Sequence, residues 1–127
     1  CYESLFSELT RGLAKQGAQI IVNITNDSWY GEWQEPYQHG YMTLGRAIEY
    51  RLPLVRSTNT GISTVILANG DILEKSPMGQ EWAQIYKVPY IKNPKLTVYA
   101  QFPWLIDAIL IIVGLIVLGR QILARKK

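Results

Sequence analysis

The spacing of apolar residues after Cys1 predicts a helix as the first element. Ser4 is a suitable N-cap, and Gly17 is a suitable residue to end the helix. The apolar positions between them recur at helical spacing: Leu5, Phe6, Leu9, Leu13 and Ala14. We therefore predict a helix that begins directly after Cys1.

A short continuous apolar run comes next and has a different pattern. Gly17 precedes this run, and Asn26 and Asp27 follow it. The run consists of Ile20, Ile21, Val22 and Ile24. An unbroken apolar run between turn residues is typical of a strand covered on both faces. We therefore predict an interior strand.

The remaining apolar patterns predict a second helix and three further strands. Pro36 suits the first turn of a helix, and Pro53 would stop that helix. Asn69 and Gly70 form a hairpin-turn signal, after which the chain should fold back through residues 71–74. The predicted strands lie at about 54–58, 62–68 and 84–90. This order of elements favours an α/β layered domain.

The most apolar segment of the chain lies near its end. The 18 residues from Phe102 to Gly119 would form about 27 Å of helix, close to the roughly 30 Å of a bilayer core. Aromatic residues precede the segment's apolar centre, and Asp107 is near enough to Trp104 to stay hydrated at the interface. We predict a transmembrane helix over 101–119, and a buried helix of a soluble core is the alternative.

Composition and charge narrow the class of protein. The chain has 127 residues, of which 48% are hydrophobic and 18% are charged, so it can build a core of one domain. Its formal charge of +3 comes from four basic residues among the last eight, and the rest is close to neutral. We therefore exclude a nucleic-acid-binding surface. By the positive-inside rule, 120–127 is a cytoplasmic tail and residues 1–100 lie on the opposite face.

Cys1 is the leading candidate for a catalytic residue, although a lone cysteine is commonly a small buried residue. A helix directly after it would stabilise a thiolate, and the backbone N–H of Tyr2 would point at a developing oxyanion. The thiol needs a base. His39 is the only histidine, which we interpret as a polar residue of the second helix, and Glu3 suits the first turn of a helix.

Two further groups of residues can be read in two ways. Trp29, Tyr30 and Trp33 either pack against the domain or line a lipid-entry side of the site. Residues 57–59 either hold the site with polar side chains or only make a turn with Gly61. The sequence leaves both alternatives open.

Taken together in order, several of these motifs resemble the C-terminal part of the apolipoprotein N-acyltransferase family, the membrane branch of the nitrilase superfamily. The matching segments are Cys1, Tyr2 and Glu3; residues 26–31; Gln38 and His39; and residues 56–61. The resemblance implies that 1–100 is the C-terminal half of a nitrilase-like αββα sandwich, followed by one transmembrane helix. It also implies a Cys, Glu and Lys triad on the periplasmic side of the bacterial inner membrane.

The resemblance further implies a reaction and the roles of some residues. Cys1 would take an acyl chain from a phospholipid, usually phosphatidylethanolamine, as a thioester. It would then pass the chain to the amino group of a diacylglyceryl-modified apolipoprotein. Cys1 is the implied nucleophile, Tyr2 and Glu3 support the site, and Trp29 and Tyr30 bind substrate. The family's glutamate and lysine precede the cysteine and are absent from this chain, and no cofactor is implied.

Three other interpretations remain open. A chain beginning at Cys1 rather than at methionine is expected to be a fragment, a processed product or one part of a split protein. A processed chain would suit an N-terminal-nucleophile amidohydrolase, whose own α-amine is the base. A soluble nitrilase-type amidase would share Cys1 and would need no membrane helix. In a membrane-anchored periplasmic interaction module, Cys1 would be structural.

Overall fold

The computed structural model of this chain describes residues 2–29, 31 and 33–125. Within these described residues, a 3-10 turn over Tyr2–Leu5 is followed by four α-helices and three β-strands. In chain order these are α1 (Ser7–Lys15), β1 (Ile21–Thr25), α2 (Glu35–Tyr50), β2 (Leu54–Thr58), β3 (Thr64–Ile66), α3 (Val98–Gln101) and α4 (Leu105–Arg125).

The three strands form one mixed sheet in the order β1-β2-β3. β1 and β2 are parallel, with Ile21 opposite Leu54, and α2 makes the crossover between them. β2 and β3 are antiparallel, with Leu54 opposite Ile66. This arrangement confirms the predicted α/β fold class.

The apolar core lies on one face of the sheet, where the helices pack. Ile21, Leu54 and Ile66 lie side by side in the strand register and are all buried. The other members of this core are Ala14 of α1, Ala47 and Tyr50 of α2, Leu52, and Ala100 of α3. Small alanines at three of these positions let the helix backbones come close to one another and to the sheet.

The opposite face of β1 is open to solvent in this chain. Val22 is 64% exposed and Ile24 is 78% exposed, while Ile21 and Thr25 on the other face are buried. The prediction that this strand is covered on both faces is therefore wrong within the described residues. The apolar run was read correctly as a strand, but β1 is an edge strand here and only one of its faces meets a helix layer.

The first helix begins later than predicted. Tyr2–Leu5 form a 3-10 turn, and Ser4 is buried within that turn instead of capping a helix. The α-helix starts at Ser7, after Phe6, whose side chain makes no capping hydrogen bond. The predicted end is correct, because Gly17 has φ +85°, and the N–H groups of Gly17 and Ala18 donate to the carbonyls of Ala14 and Leu13.

The hairpin signal is confirmed, and the last predicted strand is wrong. Gly70 has φ +96°, and the Gly70 N–H donates to the Leu67 carbonyl at 2.9 Å. The returning segment runs antiparallel to β3 with Ile72 opposite Ile66, and the Leu73 N–H donates to the Val65 carbonyl at 2.9 Å. Residues 84–90 form no strand, since this segment lies outside the sheet.

Hydrogen bonds around Ser7 join α1, α2 and α3 close to the N-terminal segment. The Ser7 hydroxyl lies 2.6 Å from the Tyr50 hydroxyl and 3.2 Å from the Tyr99 hydroxyl, and it donates to Glu49 at 3.0 Å. Burial raises the pKa of the Tyr50 phenol above its usual value, so this group stays neutral and keeps its hydrogen bonds. The position of the 3-10 turn is therefore fixed from the α1 side.

The C-terminal helix differs from the others because it packs against nothing in the described chain. α4 contains a 20-residue stretch, Leu105–Ala124, with a mean hydropathy of 2.2, and none of it is buried. By length and composition, this helix can cross a membrane. The predicted apolar helix is present, but it starts at Leu105, since the short helix α3 and residues 102–104 precede it.

Candidate active site

The candidate site is built around Asp27, which is the second residue after the carboxyl end of β1 and is fully buried. Its backbone N–H donates to Asn59 Oδ1 at 3.0 Å. Asn59 directly follows the carboxyl end of the neighbouring parallel strand, β2. The carboxyl ends of parallel strands are the usual location of binding sites in α/β folds.

The Asp27 carboxylate pairs with two basic side chains. Its Oδ1 lies 2.9 Å from His39 Nδ1, and its Oδ2 accepts a hydrogen bond from Arg56 Nη2 at 2.8 Å. A carboxylate only accepts hydrogen bonds, so we assign the proton at this contact to His39 Nδ1. His39 is 5% exposed and Arg56 is 2% exposed, so the three residues form one buried polar cluster.

Three different elements hold this cluster. Asp27 comes from the loop after β1, His39 from the first turns of α2, and Arg56 from the middle of β2. Arg56 also donates from Nη1 to Asn23 Oδ1 on β1 at 2.8 Å. Because water cannot screen buried charges, these groups keep one arrangement in which each charge has its partner.

The N-terminal segment meets the cluster through an aromatic contact. The Tyr2 and His39 rings are 5.9 Å apart at their centroids, with a tilt of 30° between their planes. This separation is typical of favourable aromatic pairs. Tyr2 and His39 also line a common surface cavity, together with Leu5, Glu35, Gln38 and Met42.

Gly61 lies against the Asp27 side chain. A Cβ atom at position 61 would lie only 2.8 Å from Asp27 Cβ and Cγ. No carbon atoms pack that closely without a shift, so any larger residue must move Asp27. The carboxylate is therefore held by its charged partners on one side and by the bare glycine backbone on another.

Substitution Gly61→Ala is expected to destabilise the fold by about 1–3 kcal/mol, because it overpacks the Asp27 site and pushes the carboxylate away from Arg56. Thermal unfolding of the full-length protein measures the effect. Gly12→Ala on α1 is a matched control, since nothing lies within 4 Å of its added Cβ. Equal stability of the two variants would contradict the close contact described for Gly61.

Some of the site residues predicted from the sequence belong to the described part of the chain, and others do not. Cys1 and Tyr30 lie outside the described residues. Tyr2 is 58% exposed in the 3-10 turn, and Glu3 is exposed in the same turn, where its carbonyl accepts the Phe6 N–H at 3.1 Å. The structure thus brings Tyr2 to the buried cluster through His39.

The structure decides differently between the alternatives for the aromatic loop and for the residues at the end of β2. Trp29 and Trp33 are 83% and 85% exposed, so their packing against the domain, one of the two alternatives, is wrong within the described chain. Asn59 makes both kinds of contact: its Oδ1 accepts from the Thr60 N–H in the turn and also from the Asp27 N–H. Its Nδ2 donates to Asn26 Oδ1 at 2.7 Å.

The clustering of Asp27, His39 and Arg56 was missed, although all three residues belong to the motifs quoted above. His39 was interpreted as a polar residue of the second helix and does belong to α2, but its burial against a carboxylate was not predicted. One signal in the sequence could have indicated this cluster. Asp27 follows β1 and Arg56 belongs to β2, and two parallel neighbouring strands bring such residues close together. Within the described residues, no group of three His, Cys, Asp or Glu side chains could hold a metal ion.

The fold and these motifs define a family, and comparison with known proteins establishes it. The family described as "Carbon-nitrogen hydrolase" matches residues 1–111, so the chain belongs to that family. A carbon-nitrogen hydrolase of Helicobacter pylori G27 has a similar fold, with a TM-score of 0.50 and 22% identity over 64% of this chain and 36% of that one.

Relatives at higher identity carry one particular name. The chain is 54% identical over 120 residues to an apolipoprotein N-acyltransferase of Bdellovibrio bacteriovorus, which covers 92% of this chain and 22% of the relative. It is 39% identical over 117 residues to an apolipoprotein N-acyltransferase of Agrobacterium fabrum, covering 90% of this chain and 22% of the relative. The chain therefore spans about a fifth of the length of these relatives.

Proposed function

We propose that this chain is the nucleophile-bearing part of an apolipoprotein N-acyltransferase. The observation that carries the proposal is the 54% identity to a protein of that name over 92% of the chain. In this proposal, residues 1–100 are the C-terminal half of the carbon-nitrogen hydrolase domain. Residues 101–119 belong to a transmembrane segment, and 120–127 form a cytoplasmic tail.

The reaction has two acyl-transfer steps. The Cys1 thiolate attacks the ester carbonyl carbon of a phospholipid, the proposed donor being phosphatidylethanolamine. The C–O bond breaks, the lysophospholipid alkoxide takes up a proton, and an acyl thioester remains on Cys1. The α-amino group of a diacylglyceryl-modified apolipoprotein then attacks the thioester. The C–S bond breaks, the nitrogen loses a proton, and Cys1 is restored.

Within this chain, few groups assist the chemistry. The Tyr2 backbone N–H would donate to the oxyanion in both steps, and Glu3 would support the site from the same turn. The base that activates the thiol is proposed to be a glutamate, which together with a lysine belongs to the part of the relatives that this chain does not span. The described chain is therefore expected to be inactive alone.

Access to lipid explains two exposed features of the structure. Trp29 is 83% exposed on the loop after β1, and Tyr30 is its neighbour in sequence. Amphipathic rings suit the interface between a bilayer and water, so we assign both to the binding of substrate. α4 would lie in the bacterial inner membrane, with the catalytic domain on the periplasmic side. The exposure of the apolar helix α4 in the described chain supports its insertion in a membrane.

The test uses the full-length protein in detergent or in phospholipid vesicles. A phospholipid with a labelled acyl chain and a synthetic diacylated lipopeptide are supplied together, and mass spectrometry follows the lipopeptide. The expected result is a triacylated lipopeptide with an amide-linked acyl chain. Hydrolysis of a small amide without acyl transfer would favour an amidase, and the absence of both reactions would favour a membrane-anchored interaction module.

A further inference from the structure

A continuous line of contacts leads from the residue after the proposed nucleophile into the protein interior. The Tyr2 ring packs on His39, His39 Nδ1 contacts the Asp27 carboxylate, and Asp27 pairs with Arg56. The proposed mechanism uses none of the last three side chains. One of these side chains, His39, contacts Tyr2, however, and the backbone N–H of Tyr2 is the proposed oxyanion donor.

The 3-10 turn that carries Tyr2 is anchored at its C-terminal end, where Ser4 is buried and the Leu5 carbonyl accepts a hydrogen bond from Arg46 Nη1 at 2.6 Å. The turn has only four residues, and at its start the Tyr2 and Glu3 side chains are exposed. Turns of this kind have weaker hydrogen-bond geometry than an α-helix. The direction of the Tyr2 N–H must therefore depend on what packs against Tyr2 from outside the turn.

The buried cluster is a rigid support by comparison. Asp27 is fixed by the Arg56 guanidinium, by Asn59 at its backbone and by the Gly61 backbone. Arg56 in turn bonds to Asn23 of the adjacent strand. A buried charge pair with these constraints has one arrangement, and the imidazole bonded to it takes one orientation.

We propose that Asp27, Arg56 and His39 form a positioning platform for the oxyanion hole: the His39 ring, held by Asp27, fixes the Tyr2 ring and thereby the direction of the Tyr2 backbone N–H. This inference rests on the proposed acyltransferase function. His39 is a positioning residue in it, because it acts through Tyr2 and touches neither substrate nor the reacting atoms.

The platform has a specific kinetic consequence. An oxyanion donor acts on the transition state and hardly on the bound lipid, so its misplacement lowers the limiting rate of acylation and leaves the half-saturating lipid concentration unchanged. A displacement of about 1 Å at such a donor is expected to cost up to roughly 100-fold in rate.

The experiment is a double-mutant cycle in the full-length protein, read by single-turnover acylation of Cys1 at varied phospholipid concentration. His39→Asn removes the ring but keeps a side-chain donor at the position of Nδ1 for Asp27, and Tyr2→Leu removes the ring on the other side of the contact. Each is expected to lower the limiting rate about 10- to 100-fold. The double variant is expected to be no slower than the slower single variant, since both break the same contact.

Further variants separate positioning from folding. Tyr2→Phe keeps the aromatic ring and is expected to recover most of the limiting rate that Tyr2→Leu loses, because the ring contact with His39 is retained. Tyr41→Leu, an exposed ring of α2 that packs on Lys75, is the matched control and should not alter the rate. If His39→Asn does not fold, the comparison of Tyr2→Leu with Tyr2→Phe still tests the contact.

Several outcomes would overturn the platform. The first is that the two substitutions have multiplicative effects on the limiting rate. The second is a change confined to the half-saturating lipid concentration, and the third is a Tyr2→Phe variant as slow as Tyr2→Leu. A protein that acylates no cysteine at all would instead refute the acyltransferase function itself. An active protein with an additive cycle would refute only the platform.

Discussion

Replacing Cys1 with alanine is expected to lower acyl transfer by the full-length protein by on the order of 10⁴-fold or more, since covalent catalysis has no other nucleophile to use. The phospholipid should still bind with unchanged affinity, because the thiol contributes little to the bound ground state. The measurement is the rate of formation of triacylated lipopeptide under saturating phospholipid.

A second substitution at the same position sharpens this test. Cys1→Ser keeps an attacking oxygen, so it is expected to form an oxygen ester slowly and to pass the acyl chain on poorly. The unchanged protein incubated with phospholipid alone should gain one acyl chain that neutral hydroxylamine removes, as expected for a thioester. Full activity of Cys1→Ala, or a trapped acyl chain on another residue, would contradict the proposed role.

Arg56→Met is expected to destabilise the fold by about 3–5 kcal/mol, which is the second large effect. Arg56 and Asp27 are both almost fully buried, and their contact of 2.8 Å joins β2 to the loop after β1. Methionine fills a similar volume, but it leaves the Asp27 carboxylate buried without its guanidinium partner. Unfolding by heat or denaturant, followed by tryptophan fluorescence in detergent, measures the loss.

The reason for this loss can be checked separately. Adding Asp27→Asn to Arg56→Met removes the stranded charge, so the double variant should recover part of the lost stability. Lys87→Met removes a charge from an exposed position and is the matched control, with an expected change within about 0.5 kcal/mol. Equal stability of Arg56→Met and Lys87→Met would show that the buried pair adds nothing.

Local sequence signals predicted the elements that depend on local chemistry. Gly17 and the pair Asn69 and Gly70 were interpreted correctly, because glycine lacks a Cβ atom and adopts the positive φ that these turns require. The second strand was predicted at its observed bounds, Leu54–Thr58. Pro36 likewise marked the start of α2 to within a residue.

The errors arose where distant parts of the chain decide the outcome. Val22 and Ile24 lie on the face of β1 that no layer of the described chain covers, and the apolar run alone cannot reveal which faces of a strand are covered. His39 has the same difficulty, because its burial depends on a carboxylate 12 residues away and on an arginine from another strand. For the candidate site, the motifs identified the residues, and only the packing brings them into one cluster.

The link between α3 and α4 limits how far the domain can move from the lipid. Ala100 is fully buried in the core and α4 starts at Leu105, so four residues separate the core from the helix proposed to span the membrane. Even fully stretched, the five Cα–Cα steps from Ala100 to Leu105 reach at most about 18 Å. The proposed catalytic centre would thus be tethered at a nearly constant height above one leaflet. Its search for both substrates would be two-dimensional, and acyl donors dissolved in water would gain no such advantage.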